Sequence, residues 1–272
     1  VELEGVALHY SRFVAVDSIG FRVPPGQFSA IVGPTGCGKS SILNLVAGLL
    51  TPTAGQVKTD GKPVARINRD AAYMFQLDAL LPWKTALDNV LLGPLLRGTP
   101  KARAAEEARA WLARVGLSGF ETRYPHQLSG GQRKRVAMAQ ALINRLPILL
   151  MDEPFSALDA QTRALMEQEL LGLWQELGAT VLFVTHDLEE AVALSDRILL
   201  FTAGPAATIK GDYPVALPRP RNVVDARFMP GFGDVYERVW NDLRDEVMAS
   251  YERQSYRAEP GGLPGSQARS TT

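Results

Sequence analysis

One cysteine in 272 residues leaves no partner for an internal disulfide. The single thiol, Cys37, fits a reducing compartment. Net charge is missing too. The 29 Lys and Arg balance 29 Asp and Glu, so no overall basic field argues for nucleic acid. No apolar run approaches the roughly 18–20 residues that cross a bilayer. The opening VELEGVALHY lacks the basic n-region and apolar h-region of a secretory signal, and no initiator Met precedes it. No internal repeat is found. The expectation is a soluble cytosolic protein whose membrane role, if it has one, comes through a partner. With 46% hydrophobic residues, the chain reads as globular and is long enough for one large α/β domain or two small ones.

Residues 1–10 alternate apolar and polar, the apolar positions being Leu3, Val6, Leu8 and Tyr10. FRV runs into the turn residues PPGQ, so the start reads as antiparallel β. FSAIV (28–32), ILLM (148–151), TVLFVT (180–185) and RILLF (197–201) are continuous apolar runs of the kind found in parallel strands buried on both faces. SILNLVAGLL (41–50) and residues 160–177 read as helices, and TPTAG ends the first. Between 77 and 147 the composition turns to Ala, Arg and Glu. In KARAAEEARAWLARVG the apolar Ala105, Ala108, Trp111, Leu112 and Val115 recur at helical spacing. The expected divisions are an α/β core over 1–76 and 148–201, a helical insert over 77–147 and an extension over 202–257. In that extension, Gly- and Pro-rich 203–231 is expected to be irregular, and Phe232, Val235, Val239, Leu243 and Val247 mark one more helix. A disordered tail is expected over 258–272.

GPTGCGKS at 33–40 fits the phosphate-loop pattern G-x-x-x-x-G-K-[ST], and it sits between a strand and a helix as that pattern requires. Gly33, Gly36 and Gly38 let the backbone curl so that its N–H groups face the β- and γ-phosphates of a nucleotide. Pro34, Thr35 and Cys37 complete the cradle. The following helix N-terminus adds a favourable field. Lys39 supplies a point charge to the same oxygens, the Ser40 hydroxyl is a ligand for Mg²⁺, and Ser41 is expected at the α-phosphate. Flanked by Lys39 and the helix N-terminus, Cys37 is expected to carry a reactive thiolate that bound nucleotide shields. ILLMDE (148–153) ends in two carboxylates. Asp152 is placed to hold Mg²⁺ through water, and Glu153 fits the general base that polarises the attacking water. Acidic pairs at strand ends are common; their place downstream of a phosphate loop, before Pro154 and SALD (156–159), gives this one weight. LSGGQ (128–132) is a second glycine-rich anion-binding segment, about 90 residues after the first.

A chain with both glycine motifs resembles the ATP-binding subunit of an ABC transporter, in which two copies sandwich two ATP molecules head to tail. The resemblance covers residues 1 to about 201, with the motifs in order. It implies an α/β fold: a P-loop NTPase core with an N-terminal antiparallel β part and an inserted α-helical subdomain. It makes Gln76, in YMFQ, the glutamine whose amide reaches Mg²⁺ and water. A lone histidine is more often a surface or satisfied core residue. His186, 33 residues after Glu153 in VTHD, nevertheless matches the family's switch histidine, which contacts the γ-phosphate. Tyr10 matches the aromatic that stacks on adenine, worth roughly 1–3 kcal/mol, with Phe13 a nearby competitor. Asp159 matches a residue lying across the dimer interface. Ser129, Gly130, Gly131 and Gln132 match the signature that serves ATP held by the opposing subunit, the next helix directing its N-terminus at that charge. Gln140 in AQAL stands where the family usually has Arg, which removes a structural ion pair rather than a catalytic group.

LDALLPWKTALDNV (77–90) and LPRPR (217–221) look like the nitrate, sulfonate, taurine and bicarbonate branch of bacterial importers. The resemblance then implies an ATP hydrolase working as a homodimer, or as a heterodimer with a related ATPase subunit. Its other partners are two transmembrane permease subunits and, indirectly, a periplasmic solute-binding protein; nucleic acid is not among them. The implied location is the cytoplasmic face of the inner membrane. Leu80, Leu81, Pro82 and Trp83 form an apolar cluster in a segment expected to be exposed, with Trp83 the interface anchor. A DNA-repair ATPase of the same type would need a long coiled coil between the glycine motifs. A ribosome-associated one would need two ATPase cassettes. Neither is present in the sequence.

Overall fold

The computed structural model describes residues 1–11, 13–77 and 79–258. Of the expected tail only Ala258 is among them, at the end of a helix; the rest lies outside the described residues. Two sheets organise the chain. The first is antiparallel, ordered β2-β1-β4-β5, from β1 (Glu2–Tyr10), β2 (Phe13–Arg22), β4 (Ala54–Thr59) and the short β5 (Lys62–Pro63). The second holds β3 (Phe28–Val32), β6 (Ala71–Met74), β7 (Ile148–Asp152), β8 (Thr180–Val184), β9 (Arg197–Phe201) and β10 (Ile209–Pro214), in the order β10-β9-β3-β8-β7-β6. All its pairings are parallel except β10 with β9.

The parallel strands are apolar throughout because both faces are covered, and their alternation sorts side chains between two cores. Ile31, Leu150, Leu182, Val184 and Leu199 face one side, where they meet α1 (Lys39–Val46) and the inner face of the antiparallel sheet. Ala30, Val32, Met151, Phe183 and Leu200 face the other, toward helices from the rest of the chain. Between β6 and β7 come α2 (Ala86–Val90), α3 (Leu92–Leu96), α4 (Lys101–Arg114) and α5 (Gly130–Leu142). On α4 the buried stripe is Ala104, Ala108, Trp111 and Leu112, with Ala105 only partly covered. Next in sequence, α6 (Ala160–Leu177) and α7 (Leu188–Leu194) flank β8.

The segment expected to be irregular is ordered. β10 pairs antiparallel with β9, and α8 (Val223–Ala226) follows before the long α9 (Phe232–Ala258). Gly211 and Pro214 hid the strand, yet an edge strand tolerates both. Long-range bonds hold it. Tyr213 donates to Asp242, and Lys210 pairs with Glu246 at 2.9 Å, tying β10 to α9. LPRPR is a latch on the carboxyl end of α7. Arg221 is 3% exposed and donates to the carbonyls of Val192, Ala193 and Ser195, and to those of Val215 and Leu217. Arg219 takes the Leu194 carbonyl at 2.6 Å and the Asp196 carboxylate at 2.7 Å, and stacks over Trp174. Burial first, then the charge of Arg219, pushes the Arg221 guanidinium down to about 10, so it remains a cation at neutral pH.

Candidate functional site

Sheet order explains the site. β3, β8, β7 and β6 are consecutive neighbours, and in an open parallel sheet the carboxyl ends of the strands face the ligand crevice. Each of these strands runs into one candidate group: the glycine loop after β3, His186 after β8, Asp152 and Glu153 at the end of β7, and Gln76 just past β6.

Gly38 caps α1 at φ +96°, and a Cβ there would stand 2.6 Å from Val16 Cγ1, so the loop's approach to β2 requires glycine. Lys39 is buried, its ammonium donating to the carbonyls of Gly33 at 2.8 Å and Pro34 at 2.9 Å. The loop is thus held curled by the same charge a phosphate would recruit. Ser40 hydrogen-bonds to the Asp152 carboxylate. Burial pushes Asp152 up from the usual carboxylate range, the Ser40 bond opposing it. A buried carboxylate bonded to a hydroxyl is an oxygen donor pair, the chemistry Mg²⁺ prefers. Ser40 and Asp152 therefore fit that ion, while the Gln76 amide is turned to Glu153, next in sequence to Asp152.

Glu153 sits at φ +46°, a strained backbone for a side chain of its size. The turn is held by its N–H to the Val184 carbonyl at 2.9 Å and by the Ser156 hydroxyl on its own carbonyl at 3.0 Å. Its Oε2 accepts from Gln76 Nε2 at 3.0 Å and lies 3.4 Å from His186 Nδ1. The structure brings these three residues together. Ser129 and Gln132 engage each other: Ser129 caps α5 by accepting the Gln132 N–H at 3.2 Å, and the Gln132 side chain takes the Ser129 N–H at 2.9 Å. Gly130 and Gly131 open the helix. Asp159 caps α6, accepting the Thr162 N–H at 3.0 Å, and that bond holds its carboxyl below the usual range. Tyr10 and Phe13 are cross-strand partners at the tip of the β1–β2 hairpin, both exposed, so either ring can stack.

Cys37 corrects an expectation. Its side chain is fully buried among the core residues behind the loop. Burial pushes the thiol up, and Lys39 only partly opposes that. Cys37 can offer the loop its backbone N–H but not a reactive sulfur. A maleimide at neutral pH is expected to label it at least about 100-fold more slowly in the folded protein than after denaturation, with or without Mg²⁺-ATP, as read by mass spectrometry. Rapid labelling of the folded chain would contradict this burial.

Sequence reasoning missed Lys134. It is 4% exposed, and its ammonium reaches the carbonyls of Phe75, at 3.2 Å, and Gln76. The loop that carries Gln76 is thereby tied to the helix that carries the signature. The available signal was a lysine one helical turn before Met138, on the apolar face of α5.

Fold and glycine loop place the chain among the phosphate-loop nucleoside triphosphatases. Comparison with known proteins narrows this. A family described as ABC transporter matches residues 16–156. An ABC transporter ATP-binding protein of Methanocaldococcus jannaschii is 45% identical over 240 residues, 88% of each chain. The aliphatic sulfonates import ATP-binding protein SsuB of Escherichia coli is 46% identical over 237 residues, 87% of this chain and 89% of the relative. A dimeric ATP-binding cassette in a post-hydrolysis state, bound to ADP and Pi, superposes with a TM-score of 0.72 at 32% identity, covering 79% of this chain and 98% of that one. The chain belongs to the ABC transporter family and is an ATP hydrolase of the kind coupled to transport.

Proposed function

We propose that this chain is the ATPase subunit of a bacterial importer for a sulfonate, nitrate, taurine or a similar small compound. In this reading it docks on two permease subunits at the cytoplasmic face of the inner membrane and works as a head-to-tail dimer. The observation that carries the reading is a division of labour. One glycine segment has a Lys–Ser pair and hydrolytic candidates beside it; the other opens a helix and has neither. A nucleotide held by the first needs the second from another copy. The 46% identity to a sulfonate importer subunit supports the solute class. Among the described residues no helix is long and apolar enough to cross a membrane, which fits a subunit that borrows its channel.

In the closed dimer Ser40, Asp152 and Gln76 would hold Mg²⁺, which would neutralise charge on the phosphates. Lys39 and the loop N–H groups bind the β- and γ-phosphates, and Tyr10 or Phe13 stacks on adenine. Glu153 takes the proton from water, and His186 orients that water against the γ-phosphate. Ser129, Gly131 and Gln132 of the other copy close over the same phosphate, and its loss on hydrolysis reopens the pair.

The docking segment is preorganised. Asn89 is fully buried; its side chain accepts the Leu81 N–H at 2.8 Å and donates to the carbonyls of Lys84, at 3.1 Å, and Thr85, at 2.9 Å. That fixed turn divides the apolar cluster, sending Leu80 into the core and leaving Trp83 71% exposed. The test is co-purification of the tagged chain with a polytopic membrane protein; recovery with DNA or ribosomes instead refutes the reading. Trp83→Ala should cut that recovery about tenfold while leaving melting temperature and free-chain ATPase unchanged. A lowered melting temperature would return Trp83 to the core.

A further inference from the structure

The residues around the switch histidine and the loop ending at Asp159 are joined by one side chain. Arg163 lies in the first turn of α6. Its Nη1 donates to Asp187 Oδ2 at 3.3 Å and lies 3.8 Å from Glu190 Oε1, while Nη2 donates to the Leu158 carbonyl at 3.4 Å. Leu158 belongs to SALD. Asp187 follows His186 and caps α7, accepting the N–H of Glu189 at 2.8 Å. Thr185, on the other side of His186, donates to Glu190 Oε2 at 2.6 Å and accepts the Asp187 N–H at 3.0 Å. His186 is therefore flanked on both sides by members of one hydrogen-bonded cluster, and that cluster also grips a carbonyl of the loop assigned to the dimer interface.

We propose that Arg163 is a positioning residue for ATP hydrolysis, setting His186 according to where the 156–159 loop stands, and that Glu167 decides whether Arg163 stays in place. The inference rests on the roles given to His186 and the 156–159 loop under the proposed function. Glu167 follows Arg163 by one helical turn, is 6% exposed, and hydrogen-bonds to Glu190. Its Oε1 is buried without a partner. Burial is the main cause, and the Glu190 charge the next, that push the Glu167 carboxyl up to about 8; Asp187 adds to this and Arg163 opposes it. The pocket it lines also carries Glu189 from α7 and Arg227 from just past α8. Near pH 7 Glu167 is a neutral donor to Glu190, and Arg163 is free to serve Asp187 and Leu158. Above about pH 8 it becomes a second full charge beside the guanidinium and competes with Asp187 for it.

Steady-state ATPase assays on the full chain test this, with melting temperature measured alongside. Arg163→Met should lower kcat about tenfold with KM for ATP within about twofold, because the cluster touches no residue of 33–41. Arg163→Lys, which keeps the charge but not the fork, should recover part of that loss. Glu167→Gln keeps the shape and has no proton to lose, so its ratio of kcat at pH 9 to kcat at pH 7 should exceed the wild-type ratio about fivefold. A folded Arg163→Met with wild-type kcat overturns the proposal, as does a Glu167→Gln profile that superposes on wild type. If Arg163→Met does not fold, the Glu167→Gln profile decides alone. An active Glu153→Gln would instead refute the assigned catalytic site, whatever the Arg163 variants do.

Discussion

Glu153→Gln is expected to bind Mg²⁺-ATP as tightly as the parent chain and to hydrolyse it at least about 1000-fold more slowly. The geometry isolates the effect. Gln76 Nε2 and His186 Nδ1 both meet the same oxygen, Oε2, so an amide carbonyl placed there preserves the Gln76 bond and leaves the strained turn at Glu153 undisturbed. What disappears is the capacity to take a proton. With the γ-phosphate retained, the two copies should stay joined, and gel filtration with Mg²⁺-ATP should show a dimer that the parent shows only transiently. Hydrolysis near the parental rate would remove Glu153 from the role of base.

Gly131→Asp should abolish hydrolysis, by about 100-fold or more, without weakening ATP binding to a single chain. An added Cβ at Gly131 stands 3.2 Å from the mobile end of Leu158, a contact that a small shift relieves. An acid in the first turn of α5 suits the helix dipole. The fold should therefore tolerate the change, while in the proposed dimer a carboxylate would meet the neighbour's γ-phosphate. Ser129→Arg should act alike at an added cost of about 1 kcal/mol for the lost cap. Mixing Gly131→Asp with Lys39→Ala chains should leave at most one intact composite site per pair. Loss of ATP affinity in isolated Gly131→Asp chains would contradict a site shared between copies.

The parallel strands were legible because burial on both faces leaves FSAIV, ILLMD, TVLFV and RILLF no reason to alternate. Their neighbour relations were not, and these bring Gln76, Glu153 and His186 within hydrogen-bonding reach. β10 was illegible for the opposite reason. IKGDYP has little strand character of its own and is held by β9, Asp242 and Glu246, partners distant in sequence. Cys37 misled because spacing places a side chain between two loop glycines without saying which way it turns. Lys134, Arg163 and Arg221 share a further lesson. Charged residues in helical or Pro-rich stretches look like solvated surface until a backbone carbonyl or carboxylate is found waiting for them.

The LPRPR latch also sets an order of assembly. The carbonyls of residues 192 to 195, at the end of the helix that follows His186, find their side-chain donors, among the described residues, in Arg219 and Arg221. During synthesis α7 can coil as soon as residue 194 emerges, but its last turn stays open to water until the chain has grown past 221. A truncation after β9 would keep every residue assigned to the nucleotide and still leave that helix end unfinished, with backbone acceptors uncovered beside an apolar core. In this chain the helix after His186 is finished by residues more than twenty positions beyond its end.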